Sequence, residues 1–303
     1  MFVIGHKNPD TDSVVSATVL SKFLQKTGRQ AEARVPGKIN KETEYIFSFL
    51  NLDVPAEIAE IPEDEKVFLV DHNDLSQSLA SIDSVVGILD HHLLSGIITD
   101  SPMYFRVEPI GSTSSLVYKL YKENNVELEI TDANLLLAAI ISDTLKLSSP
   151  TTTDEDRLIF EELKEITKID TDKLAQEMFA HKSDYSDKSI SEVISSDLKE
   201  FDFGGKRVAI SVAETTNLDY FNNNEDEIAK ELVNIKNLNN YDYFFFAAVD
   251  IVNKNTHFFP AEDVEKKIIE ELFIHENKGN YYYLENIVSR KKEIAPVISK
   301  YFA

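Results

Sequence analysis

A chain of 303 residues with 43% hydrophobic side chains is long enough for two domains with proper cores, and too apolar to be wholly disordered. Its net charge of −22 argues against broad nucleic-acid binding, which needs a basic face, yet leaves room for a small anion in a cleft whose local cations invert the field. It has no cysteine, so disulfides and thiolate metal sites are excluded and any metal must be held by imidazole nitrogen and carboxylate oxygen.

Phe2–Ile4 reads as a strand and Ser13–Thr27 as a helix, with Ala17, Leu20 and Leu24 at helical spacing and Gly28 as its stop. Lys66–Asp71 and Val85–Asp90 read as further strands, and helical patterns follow at Thr113–Asn124, Asp132–Asp143, Asp154–Thr167 and Asp172–His181. Strands alternating with helices predict an α/β fold with a parallel sheet. The short polar stretch Ser183–Ser191 suits a linker or hinge. Beyond it the pattern restarts, with strands at Arg207–Ala213, Tyr243–Ile251 and Tyr281–Val288 and helices at Asp226–Leu238 and Asp263–Ile274. The expected organisation is a parallel-sheet domain over 1–184, a linker over 185–191 and a smaller α/β domain over 192–303, without internal repeats. No apolar run reaches the roughly 18 residues that span a bilayer, and Met1–His6 lacks the basic flank of a secretory signal. A cytoplasmic protein with no membrane partner is expected.

Four short motifs fall at predicted strand or helix ends, where open α/β sheets bind ligands. In Gly5-His6-Lys7-Asn8-Pro9-Asp10-Thr11-Asp12, one imidazole and two carboxylates share a tight loop; Asp10 and Asp12 suit metal ligation, and equally suit capping of the helix behind them. Asp71 closes a buried strand, a placement that suits a carboxylate aimed into a crevice or a loop aspartate that satisfies backbone amides, while alternation points His72 away from it and makes His72 a supporting residue. In Asp90-His91-His92 the adjacent side chains diverge, so one imidazole can bind metal while the other faces substrate, with Asp90 fixing a tautomer. Asp143 closes an apolar helix, where a carboxylate needs a partner to offset its desolvation and opposes the helix dipole. Two histidines and four aspartates are the stock for two six-coordinate cations sharing one carboxylate. Such mixed ligands suit Mn²⁺ or Co²⁺ better than Ca²⁺, with Zn²⁺ a competitor on affinity.

These motifs resemble the DHH phosphoesterase superfamily and, more narrowly, the family II (manganese-dependent) inorganic pyrophosphatases. The resemblance covers the whole chain and includes Glu108-Pro109-Ile110-Gly111-Ser112-Thr113 and the C-terminal Ser289-Arg290-Lys291-Lys292. It implies a catalytic DHH domain joined by a short hinge to a substrate-binding domain. It also implies hydrolysis of pyrophosphate to two phosphates, with a water or hydroxide between the metals as nucleophile. His6 and Asp10 would hold one Mn²⁺, Asp12, His91 and Asp143 the other, and Asp71 would bridge them. His92 would contact phosphate and protonate the leaving group, and Lys199, Arg290 and Lys291 would bind substrate; Lys206 lies near enough in sequence to compete with Lys199 for that role. Mg²⁺ would arrive with pyrophosphate, and family members are typically homodimers. A bland alternative for Arg290-Lys291-Lys292 is a solvated charge run. An exopolyphosphatase of the same superfamily would need a channel for a long chain. A DHH nuclease would carry a Gly-Gly-His-type motif, whereas Gly204-Gly205 has no following histidine. A non-catalytic relic would be expected to have lost ligands, and none is missing.

Overall fold

The structure, a computed structural model, describes residues 1–94 and 97–302. The chain forms two compact units, Met1–His181 and Lys182–Ala303.

The first unit runs β1 (Phe2–Ile4), α1 (Thr11–Lys26), β2 (Glu32–Arg34), α2 (Lys41–Phe49), β3 (Val67–Val70), β4 (Val85–Asp90), β5 (Tyr104–Val107), α3 (Thr113–Glu123), α4 (Ile130–Asp143), α5 (Asp154–Thr167) and α6 (Thr171–Lys182). Its sheet has the order β2-β1-β3-β4-β5, with every pairing parallel. β3 is buried along its whole length, as a strand covered on both faces must be, which is why it reads as an unbroken apolar run. One large core gathers α1, α3, α4, α5 and α6 around Val3, Phe68, Val70 and Leu89; a smaller one on the other face holds Ile4, Val67, Leu69 and Ile88. Because β2 and β3 lie on opposite sides of β1, the connections leaving β1 and β3 diverge, and a crevice opens at their carboxyl ends.

The second unit runs α7 (Ile190–Ser195), β6 (Leu198–Phe203), β7 (Lys206–Thr215), α8 (Asp219–Asn223), α9 (Glu225–Asn239), β8 (Tyr243–Asp250), β9 (Asn255–Pro260), α10 (Asp263–Leu272), β10 (Glu276–Asn277), β11 (Tyr282–Glu285), a π-helical turn at Arg290–Ile294 and α11 (Ala295–Tyr301). Its sheet, β10-β11-β9-β8-β7-β6, is mixed: β7 and β8 pair in parallel across the α9 crossover, and the other pairings are antiparallel. The stretch expected to be a linker carries local structure of its own. Tyr185 donates to the Glu214 carbonyl at 2.7 Å, and Ser189 with Glu192 forms a capping box that opens α7. The basic run that follows the last strand is wound into the π-helical turn ahead of α11.

Candidate metal centre

The loop after β1 is shaped by a close approach. A Cβ on Gly5 would lie 1.7 Å from Ser13 Oγ, so only glycine fits, and the His6 amide donates to that hydroxyl at 3.2 Å. His6 Nδ1 meets the Lys7 carbonyl at 2.8 Å, which leaves Nε2 facing Asp10 Oδ2 at 3.6 Å and Asp71 Oδ2 at 3.4 Å. Asp10 does two things with its two oxygens: Oδ1 caps α1 by accepting from the Ser13 amide at 2.9 Å, and Oδ2 faces the imidazole. Asp12 does not cap its own helix. It sits on the N-terminus of α3, accepting from the amides of Thr113 at 2.6 Å and Ser114 at 3.0 Å and from Ser112 Oγ at 2.9 Å, where the helix dipole favours an anion.

At the end of β3, Asp71 takes a left-handed backbone conformation (φ 61°), which aspartate tolerates better than most residues. The turn buries its carboxylate between the two imidazoles. Oδ1 is 3.3 Å from His91 Nε2 and accepts from Thr113 Oγ1 at 3.0 Å, while Oδ2 faces His6. His91 Nδ1 meets the Ile110 carbonyl at 2.9 Å, so Nε2 is the inward nitrogen. That atom is buried without a hydrogen-bond partner among the described residues and lies 3.6 Å from Asp143 Oδ2 at the end of α4. Asp90 is the organiser of the histidine pair: its Oδ1 accepts from the amides of His91 and His92 at 2.7 and 3.1 Å and from His92 Nδ1 at 2.8 Å, and its Oδ2 accepts from Asn73 at 2.6 Å. His92 is therefore oriented through Nδ1, with half of its ring open to a cavity of about 300 Å³ that His6, Asp71, His72 and Asn73 also line. His72 is buried, its Nδ1 on the Val70 carbonyl at 2.8 Å, and it stands outside the converging groups.

Three such groups exist among the described residues: His6–Asp10–Asp71, Asp12–Asp71–His91–Asp143 and Asp71–His91–His92. Within each, one donor atom per residue lies within 4.8 Å of the others. Asp71 belongs to all three. The electrostatics show what the cluster lacks. Burial opposes charge on His6, yet the hydrogen bonds and charges of Asp10 and Asp71 carry it up to about 11. Burial opposes it on His91 too, and Asp71 with Asp12 still raises that ring to about 10. Burial, then the charge of Asp71, pushes Asp12 up to about 6. For Asp71 burial acts in the same upward direction, but the bonds and charges of His6 and His91 hold it well below the usual carboxylate range. Carboxylates packed this tightly demand positive charge. The orphaned Nε2 of His91 and the oxygen-plus-imidazole donor set fit divalent cations such as Mn²⁺ or Co²⁺.

In the second unit, Lys199, Arg290 and Lys291 line one cavity of about 740 Å³ together with Asp197, Glu214 and Ser289. Lys206 is not part of it and pairs with Asp242 at 3.6 Å. The solvated-run reading fails for Arg290, whose side chain is 10% exposed: Nη2 lies 2.8 Å from both carboxylate oxygens of Asp197, and Nη1 donates to the Asp197 and Ile210 carbonyls.

Several contributors escape sequence reasoning. Ser112, Thr113 and Ser114 read as a helix start, but nothing local says that they cradle a carboxylate about a hundred positions away. Glu42 of α2 is buried and accepts from Thr11 Oγ1 at 2.9 Å and Ser142 Oγ at 2.7 Å, tying together the neighbours of Asp12 and Asp143. Asn73 follows Asp71 and His72 in the chain, but its role comes only from contact with Asp90.

Residues 1–140 match the DHH family N-terminal domain, and residues 176–301 match the DHHA2 domain. A protein of Staphylococcus saprophyticus named "Probable manganese-dependent inorganic pyrophosphatase" is 34% identical over 302 residues, covering 99% of this chain and 97% of its own length. One of the same name from Exiguobacterium is 37% identical, covering 99% and 98%. The chain belongs to the manganese-dependent inorganic pyrophosphatase family. A solved Methanococcus jannaschii structure assigned to the family II inorganic pyrophosphatases superposes with a TM-score of 0.72 at 33% identity, covering 100% of this chain and 99% of that one. An exopolyphosphatase-related protein of Bacteroides fragilis shares the fold, with a TM-score of 0.50 at 16% identity.

Proposed function

We propose that this chain hydrolyses inorganic pyrophosphate to two phosphates at a pair of Mn²⁺ ions, with Co²⁺ able to substitute and Mg²⁺ entering as the substrate complex. The observation that carries the reading is Asp71, a single buried carboxylate whose two oxygens face two different imidazoles, each with its own aspartates. A carboxylate so placed suits a bridge. His6 and Asp10 complete one side, and Asp12, His91 and Asp143 complete the other. Bound cations supply Lewis acidity and an acidified water as nucleophile.

The chain's own groups do the rest. The N-terminus of α3 fixes Asp12, and the Ile110 carbonyl fixes the tautomer of His91, so both donors are set before any ligand arrives. Asp90, by its hydrogen bond, raises the pKa of His92 and holds its Nδ1–H, which leaves Nε2 to face substrate. As the bond from phosphorus to the bridging oxygen breaks, that oxygen leaves with the electron pair and takes a proton from His92 Nε2. Lys199, Arg290 and Lys291 are assigned to the phosphate oxygens, where their charge offsets that of the leaving group. Among the described residues no helix is long and apolar enough to cross a membrane. A cytoplasmic location and a homodimer are part of the proposal. The exposed edge strand β5, with Tyr104 and Phe105 40% and 44% accessible, supports a second copy as partner. The 1–184, 185–191 and 192–303 division, with closure of the second domain on substrate, is likewise proposed.

The deciding measurement is phosphate release from pyrophosphate, ATP, polyphosphate and a short oligonucleotide, each with Mn²⁺ and with chelator. Fast, chelator-sensitive release from pyrophosphate alone is expected. Comparable turnover of polyphosphate or oligonucleotide would overturn the substrate assignment.

A further inference from the structure

The bonding around Arg290 is at odds with a guanidinium simply waiting for phosphate. Both of its terminal nitrogens are engaged by the protein itself: Nη1 by the carbonyls of Asp197 and Ile210, Nη2 by the two carboxylate oxygens of Asp197 at 2.8 Å each. Only Nε has no partner among the described residues. Arginine recognises phosphate best through two parallel N–H donors, and here the terminal pair is already spent. Exposure decides which partner can move. The Arg290 side chain is 10% exposed and is tied by main-chain carbonyls to the β6–β7 ladder, whereas the Asp197 side chain is 53% exposed at the cavity. The carboxylate is the mobile member of the pair.

We propose that Asp197 is the exchangeable counter-ion of Arg290: it holds the guanidinium in place in the empty cavity and yields Nη2 to a phosphate oxygen of the substrate. This rests on the reading of Arg290 as a substrate-binding cation and adds the residue that tunes it. Pyrophosphate carries more charge than a single carboxylate and meets Lys199 and Lys291 in the same cavity, so it competes well for Arg290. Each phosphate that leaves is displaced in turn by a carboxylate that has stayed within reach. Asp197 thus weakens binding of substrate and product alike, which favours turnover where release of phosphate is slow.

The test is Asp197→Asn, which keeps the shape and the main-chain carbonyl but removes the competing charge. With Mn²⁺ enzyme, KM for pyrophosphate and the inhibition constant for inorganic phosphate should both fall by roughly two- to fivefold, the size a partly exposed ion pair gives, while kcat stays level or drops as release slows. Arg290→Met should raise KM, and in that background Asp197→Asn should have no effect. Unchanged or higher KM and inhibition constant in Asp197→Asn would overturn the counter-ion role while leaving Arg290 as a substrate cation. An unchanged KM in Arg290→Met would instead remove the reading beneath it. Circular dichroism and the thermal midpoint of each variant separate these outcomes from misfolding.

Discussion

At the scale of single residues, the site turns on where two oxygens of one carboxylate point. Asp71 is 1% exposed and held in a left-handed backbone turn, a conformation that asparagine tolerates as readily as aspartate. Asp71→Asn therefore changes charge and donor number with little backbone strain. It should lower kcat by about a hundred- to a thousandfold, the scale reached when one preorganised electrostatic group is lost from a reacting centre, and elemental analysis should find fewer than two Mn²⁺ per chain. A near-normal rate with full metal content would refute the bridge. In the second unit, His257 on β9 is 7% exposed, its Nδ1 buried without a partner among the described residues and its ring stacked on Tyr281 at 4.1 Å. Burial lowers its pKa to about 4, with Lys278 adding to the fall and Asp250 opposing it, from an ordinary value near 6.5. The unfolded chain therefore takes up this proton before the native one does. The stability it contributes is complete above about pH 6.5 and is lost as pH falls toward 4. His257→Phe keeps the stacking and removes the titration. Urea midpoints across this range should fall less steeply in the variant, and parallel curves would show that His257 does not contribute.

At the scale of elements, the first unit works by setting the start of one helix against the start of another. Ser112 caps α3 by accepting from the Ser114 amide at 3.1 Å and donates to Asp12 Oδ1 at 2.9 Å, so one hydroxyl serves both the helix and the ligand. Ser112→Ala should cost about 1 kcal/mol of stability for the lost cap and weaken Mn²⁺ binding by roughly 10- to 100-fold, as removal of a ligand's supporting hydrogen bond does. Calorimetric titration of metal-free protein with Mn²⁺ measures the second effect. Lost stability with unchanged affinity would confine Ser112 to capping. Legibility in the sequence follows the same physics. β1, β3, β4 and the helices α1 and α3–α6 announce themselves because their apolar residues recur at the period of a buried face or fill a strand covered on both sides. β2, β5 and β6 do not, since Glu32–Arg34, Tyr104–Val107 and Leu198–Phe203 are partly exposed and interrupted by charge. The π-helical turn is invisible because no residue period marks it. The candidate cluster was readable because each member lies at the end of a strand or at the start or end of a helix that does announce itself. The cradle of Asp12 and the Asp197–Arg290 pair were not, because each depends on which distant backbone arrives beside the charge.

At the scale of the molecule, the candidate metal centre lies in the first unit, and each unit has hydrophobic cores of its own. A ligand that binds only the folded form stabilises what it binds by an amount set by its concentration over its dissociation constant, about 2.7 kcal/mol at a hundredfold excess. The cluster also carries an electrostatic burden: the carboxylates of Asp71 and Asp12 are buried together, and His6 and His91 set charge against them by taking up protons. Divalent cations would relieve that burden, and among the described residues the groups that could hold them lie in Met1–His181. Heating the chelated protein should therefore melt the first unit below the second or together with it. Adding Mn²⁺ should raise the transition of the first unit by several degrees, while hydrogen exchange of β7 and β8 amides under the same conditions stays unchanged. Equal protection gained across both units on adding Mn²⁺ alone, before any pyrophosphate is present, would show that the metal reports on more than the cluster around Asp71.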